Sequence, residues 1–223
     1  RLKGICGVEL KFVSEDESHV LLGIRRDLGD ENFKIEKSQN KVSIYGGDLK
    51  GLIYGFGKFM RTSQYEDGNF IISRWEGFSS PKKELRGIYF ATHFGNFYHR
   101  APVEKVKKYL VELFLWGFNT VFVWFDAHHF EGIDDEDAQE MIERLRIFLR
   151  QAKDLNMNTG LLILANEGYK NSPERLRAKR TGKAHYGVEL CPYIPEAEKL
   201  ILDWHKEKFK YFSDIGIDYL VIW

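Results

Sequence analysis

Residues 84–130 read ELRGIYFATHFGNFYHRAPVEKVKKYLVELFLWGFNTVFVWFDAHHF, and the fold turns on this stretch. Ile88-Tyr89-Phe90 and Val121-Phe122-Val123-Trp124-Phe125 are short apolar runs rich in β-branched and aromatic residues, the pattern of buried parallel strands. Between them Val103, Val106, Leu110, Leu113 and Phe114 fall on one face of a helix. Pro102 suits a first helical turn and Gly117 suits a helix stop. Together these make a βαβ unit. Its polar residues, His93, Asn96, Tyr98, His99, Asp126, His128 and His129, follow the strands' C-terminal ends, where α/β folds collect their chemistry.

Downstream the strand–helix alternation continues. A helix is predicted over about 135–155, with Ala138, Met141, Ile142, Leu145, Phe148, Leu149 and Ala152 on one face. Its acidic start (Asp134, Asp135, Glu136, Asp137) suits the positive end of the helix dipole. A strand over 159–165 follows, then a helix over about 195–214 burying Leu200, Ile201, Trp204 and Phe212, then a strand over 217–223. The first two strand-to-strand repeats have the length of a β/α barrel unit. The third carries an excess from Asn166 to Ile194, a long loop on the strand-end face, and such loops commonly line a site.

Residues 1–80 have a different rhythm. Val20–Ile24, Phe33 with Ile35, and Val42 with Ile44 read as strands. Gly46-Gly47-Asp48 is a turn, and Leu52, Ile53, Phe56, Phe59 and Met60 share a helix face over 49–62. Another turn at 66–69 precedes a last strand at Phe70-Ile71-Ile72, and 79–83 is the linker. The expected fold class is α/β: a small N-terminal α+β domain over 1–80, then the first half, four β/α units, of a truncated TIM (β/α)8 barrel over 84–223. An open four-stranded α/β sheet is the alternative.

Lys+Arg and Asp+Glu both number 33, so no basic face for nucleic acid or an anionic membrane is implied. No apolar run is long enough to span a bilayer. Cys6 and Cys191 are far apart, so a disulfide framework is not expected. Oligomeric state and compartment stay open.

Gly46-Gly47-Asp48-Leu49-Lys50-Gly51-Leu52-Ile53-Tyr54-Gly55 together with Arg86-Gly87-Ile88 resembles the family 20 glycoside hydrolases, the β-N-acetylhexosaminidases, and the related architecture of α-glucuronidases. In those families a small α+β domain precedes a (β/α)8 catalytic barrel. The resemblance implies a carbohydrate substrate, hydrolysis of a glycosidic bond without a cofactor, and a sugar-holding role for Arg86. It departs at 119–126, which keeps the asparagine of the family's second-strand motif but lacks both histidines. The family's catalytic Asp-Glu pair belongs at the end of the fourth strand. The sequence stops at Trp223, so this segment alone is expected to be inactive.

Asp126, His128 and His129 form the densest polar cluster, suited to hydrogen-bonding a sugar. Metal-site spacing of the histidines is absent, and no metal is expected. Asn166 and Glu167 close the third strand, where a carboxylate serves as acid, base or substrate anchor, or else pins the loop. Asp126 and Glu167 are therefore the candidate catalytic pair. Arg86, His93, Asn96, His128, His129, Asn166 and Trp223 are candidate substrate-binding residues. Arg86 could instead be a strand-entry arginine paired to a carboxylate, and Trp223 a core residue. A non-catalytic carbohydrate-binding protein on the same fold is the alternative function.

Overall fold

The computed structural model describes residues 2–9, 11–14, 16–38, 41–92, 95–179 and 186–223. The chain divides into two compact units, residues 1–86 with 112–118, and residues 87–111 with 119–223.

The first unit contains α1 (Leu2–Cys6), β1 (Val20–Ile24), β2 (Phe33–Ser38), β3 (Lys41–Gly46), α2 (Leu49–Thr62), β4 (Gln64–Glu66), β5 (Asn69–Ile71) and β6 (Gly77–Ser79). Its main sheet has the order β1-β3-β2-β6, with β1 parallel to β3 and the other pairs antiparallel. Alternation puts Phe33, Ile35, Val42 and Ile44 in the core. Asp48 caps α2 by accepting from the Gly51 N–H at 2.7 Å. Residues 77–79, partly assigned to a linker by the sequence, form an edge strand on β2 instead. Three residues are too few for periodicity to reveal.

The second unit holds β7 (Gly87–Phe90), α3 (Phe97–Arg100), the start of α4 (Val103–Leu115), β8 (Thr120–Trp124), α5 (Glu136–Asp154), β9 (Asn158–Ile163), α6 (Pro195–Phe212) and β10 (Tyr219–Ile222). The last residues of α4 cluster with the first unit. There Arg61 donates to the Leu115 carbonyl, and Tyr54 packs edge-on against Phe114.

The four strands of the second unit lie side by side in chain order, every neighbouring pair parallel. The register gives the sheet two unlike faces. Phe90, Val121, Val123 and Leu161 share one face and are at most 1% exposed, with Phe90 against Phe148 of α5. Burial of each such side chain is worth about 1.5–3 kcal/mol. The other face is aromatic: Tyr89, Phe122, Trp124 and Tyr219. The Phe122 ring lies over Gly87 and Gly160, where a Cβ would come within 2.5 and 2.1 Å of it. Those two glycines on neighbouring strands make room for the one large ring between them. Mixed α/β architecture with several sheets is thus established.

Candidate functional site

Two residues beyond β8, Asp126 caps a single 3-10 turn, Ala127–His129. Its Oδ1 accepts from the His128 backbone N–H at 3.3 Å and lies 2.5 Å from His128 Nδ1. Both side chains are buried. Asp126 Oδ2 lies 3.3 Å from His129 Nε2 without hydrogen-bond geometry, and Oδ2 has no donor among the described residues. His128 Nε2 likewise has no described partner. Two neighbouring buried side chains thus each carry a polar atom without a described partner, a costly arrangement unless something supplies the missing bonds.

The loop after β9 reaches this pair. Tyr186 stacks on the His128 ring at 4.1 Å and 19°. Glu189 holds Tyr186 in place by accepting from the N–H groups of Tyr186 and Gly187, at 2.7 and 2.9 Å. Burial raises the Tyr186 hydroxyl pKa, reinforced by Asp126 and Glu189. Burial likewise raises that of Tyr89, reinforced by Asp126 and Tyr186.

Glu167, four residues past β9, is 2% exposed. Its Oε1 accepts from Trp124 Nε1 at 3.1 Å and from the Ala127 N–H at 2.9 Å, and its Oε2 pairs with Lys208 of α6. Three donors, one of them charged, occupy this carboxylate. It ties the ends of β8 and β9 to α6.

A cavity of about 1070 Å³ opens beside the ends of β7 and β8. Thr92, Trp124 and Asp126 line it near the strand ends, His99 and Arg100 come from α3, His129 from the turn after β8, and Arg144 from α5. Arg144 is oriented by two carbonyls, accepting from it at 2.8 Å (Tyr98) and 2.6 Å (Ala101). Burial lowers the His99 pKa, with Arg100 and Arg144 adding to the shift, and the imidazole Nδ1 accepts from the Gly95 N–H at 3.1 Å.

The structure brings Asp126, His128, His129 and Glu167 to one end of the parallel sheet. It does not bring Arg86 there. Arg86 precedes the first residue of β7, so it sits at that strand's N-terminal end, and its guanidinium bonds Glu31 at 2.7 Å and the Gly117 carbonyl at 2.7 Å. It also donates to the Lys83 and Glu84 carbonyls. Asn96 caps α3 through Tyr98 and His99 N–H groups and donates to the Ala91 carbonyl, so its amide is taken up locally. Asn166 donates to Leu190 across the long loop. Trp223 is 59% exposed and lies edge-on to Tyr89 and Trp124. His93 lies outside the described residues.

Sequence reasoning missed Lys208 and Tyr186. Lys208 had a signal: Ile201, His205, Lys208 and Phe212 follow i, i+4, i+7, i+11 spacing, and all four are buried. Asp126, His128 and Glu167 could each offer one ligand atom to a metal, all within 4.8 Å of one another. The Lys208 ammonium already pairs with the Glu167 carboxylate of that set.

No protein-family model matches the chain, and no curated protein matches it. Solved structures do. A chitobiase of Flavobacterium johnsoniae is similar at TM-score 0.64 and 18% identity, over 99% of this chain and 37% of its own. A β-N-acetylhexosaminidase of Bacteroides fragilis is similar at 0.63 and 14%, over 95% and 47%. A family 20 exo-β-N-acetylglucosaminidase of Vibrio harveyi, solved with N-acetylglucosamine, is similar at 0.61 and 15%, over 90% and 37%. At these identities the likeness is one of fold, and the chain spans less than half the length of each relative.

Proposed function

We propose that this chain is the N-terminal portion of a family-20-like glycoside hydrolase, acting on a carbohydrate. In this reading residues 1–80 are an accessory α+β domain, and 84–223 are the first four β/α units of a (β/α)8 barrel. The parallel strands in chain order support it, as do the aromatic face that a barrel would turn inward and the likeness to family 20 folds.

The observation that carries the site is Asp126. Its buried Oδ2 lacks a donor among the described residues, and Asp126 lines a cavity large enough for a saccharide. A sugar hydroxyl, or the glycosidic oxygen when the carboxyl carries a proton, supplies that bond. His128 fixes the carboxylate from its other oxygen, and His129 and His99 offer further polar contacts from the rim. Glycoside hydrolysis needs two carboxyls, or one plus a participating group of the substrate. Glu167 is committed to Lys208, Trp124 and Ala127, so we assign it a positioning role, setting the end of β8 against that of β9.

That commitment also favours a second reading, a non-catalytic carbohydrate binder. The test is a screen of the full-length protein against aryl glycosides that include the N-acetylglucosaminide and the glucuronide. Turnover of any one supports the hydrolase, and saturable binding without turnover selects the binder. Neither binding nor turnover would contradict both.

A further inference from the structure

A second cavity, about 420 Å³, lies between the loop after β8, the loop after β9, and α6. Glu131, Asp134 and Glu207 line it, together with Asp135, Tyr169 and Trp204. Asp135 is already used, accepting from the Glu131 and Asp137 N–H groups as the cap of α5. Glu131, Asp134 and Glu207 make no ion pair with any described residue. The walls are fixed by backbone bonds, Lys170 N–H to the Phe130 carbonyl at 2.9 Å and Asn171 N–H to that of Glu131 at 3.4 Å.

Tyr169 supplies the observation that points to a ligand. Its side chain is 1% exposed, and its hydroxyl has no hydrogen-bond partner among the described residues. A buried phenol normally finds one. Tyr169 lines the cavity together with Asp134 and Glu207. Burial raises its pKa, with Glu167 and then Glu207 adding to the rise. Trp204 meets the Tyr169 ring edge-on at 5.0 Å and 88°, giving the cavity an aromatic wall.

We propose that this cavity binds the ammonium group of a small organic cation, with Glu207 and Asp134 countering the charge, Tyr169 completing the hydrogen bonds, and Trp204 covering the carbon body. Three features select this class. Carboxylates without cationic partners surround an aromatic surface, the setting in which ammonium groups are held by charge and by cation–π attraction. The volume lies within the range of about 300–1,000 Å³ usual for small-molecule sites. A single metal ion fits less well, because the one set of three potential metal ligands that close within 4.8 Å among the described residues is Asp126, His128 and Glu167. The acids of this cavity are spread around a larger guest.

The chemistry is that of a protonated amine, borne either by an amino sugar or by a non-sugar amine. The inference does not rest on hydrolase activity, since it needs no reacting group. The test is titration calorimetry of the full-length protein with glucosamine, cyclohexylamine, N-acetylglucosamine and calcium chloride. Saturable binding of at least one amine is expected, weakened about tenfold or more by Glu207→Gln or by Tyr169→Phe. Both variants should keep the wild-type melting curve, because one changes a half-buried side chain and the other removes a hydroxyl that has no partner among the described residues. Binding of glucosamine alone assigns an amino sugar, and binding of both amines assigns the bare ammonium. Binding of neither amine, binding of calcium only, or amine affinities unchanged in both variants would overturn the proposal.

Discussion

Lys208 of α6 and Glu167 beyond β9 form an ion pair whose side chains are 3% and 0% exposed. Withdrawing two charges from water is costly, so the pair is kept only where its remaining bonds are also made. Trp124 and Ala127 make them on Glu167. Lys208→Met should therefore cost about 3–5 kcal/mol, because it strands a buried carboxylate. Adding Glu167→Gln should restore much of the loss. Urea denaturation of the two single variants and the double variant reads this, and additive losses would contradict the coupling.

Tyr186 covers His128, whose side chain is 0% exposed. In the native protein His128 should resist carbethoxylation while the half-exposed His129 reacts. Tyr186→Ala should make His128 reactive as well, with peptide mass spectrometry as the readout. Equal modification of His128 with and without Tyr186 would show that the stack does not shield it.

His205 titrates below its ordinary 6.5, chiefly from burial and then from Lys208. The folded protein therefore refuses a proton that the unfolded chain accepts. Stability contributed by this site is present above pH 6.5 and is lost progressively as pH falls from there towards the depressed folded value. His99 shifts in the same direction. Denaturation midpoints should fall on acidification from about pH 7.5 to about 5.5, and His205→Gln should flatten that slope. A slope unchanged in the variant would remove His205 as its source.

Arg86 joins Glu31 to the Gly117 carbonyl with both charged side chains about 20% exposed or less. Arg86→Met should destabilise the protein by about 1–3 kcal/mol while leaving saccharide affinity unchanged. A loss of affinity without loss of stability would return this arginine to the sugar site.

Legibility followed the length of the pattern. In α2, α4, α5 and α6 the apolar stripe repeats over several turns, so their existence and near-boundaries could be read directly. The three-residue strands β4 and β6 carry no such repeat and were invisible. The placing of Asp126, His128 and Glu167 at one end of the parallel sheet was legible because they follow apolar strands, and strand ends are where parallel sheets expose polar groups. What sequence spacing could not carry was pairing across distance. Glu31 stands 55 residues from Arg86, and Lys208 stands 41 from Glu167. A guanidinium at a strand entry reads the same whether it meets a sugar or a carboxylate, and only tertiary structure selects between them.

We propose that Asp126 acts on a saccharide at the ends of the parallel strands. The direct measurement is kcat/KM of full-length Asp126→Asn against wild type, on whichever aryl glycoside the wild type turns over best, with melting curves to confirm folding. A loss of about a hundredfold or more in a folded variant is the expected result, in keeping with removal of a positioned acid or base. Wild-type kcat/KM in that variant would contradict it.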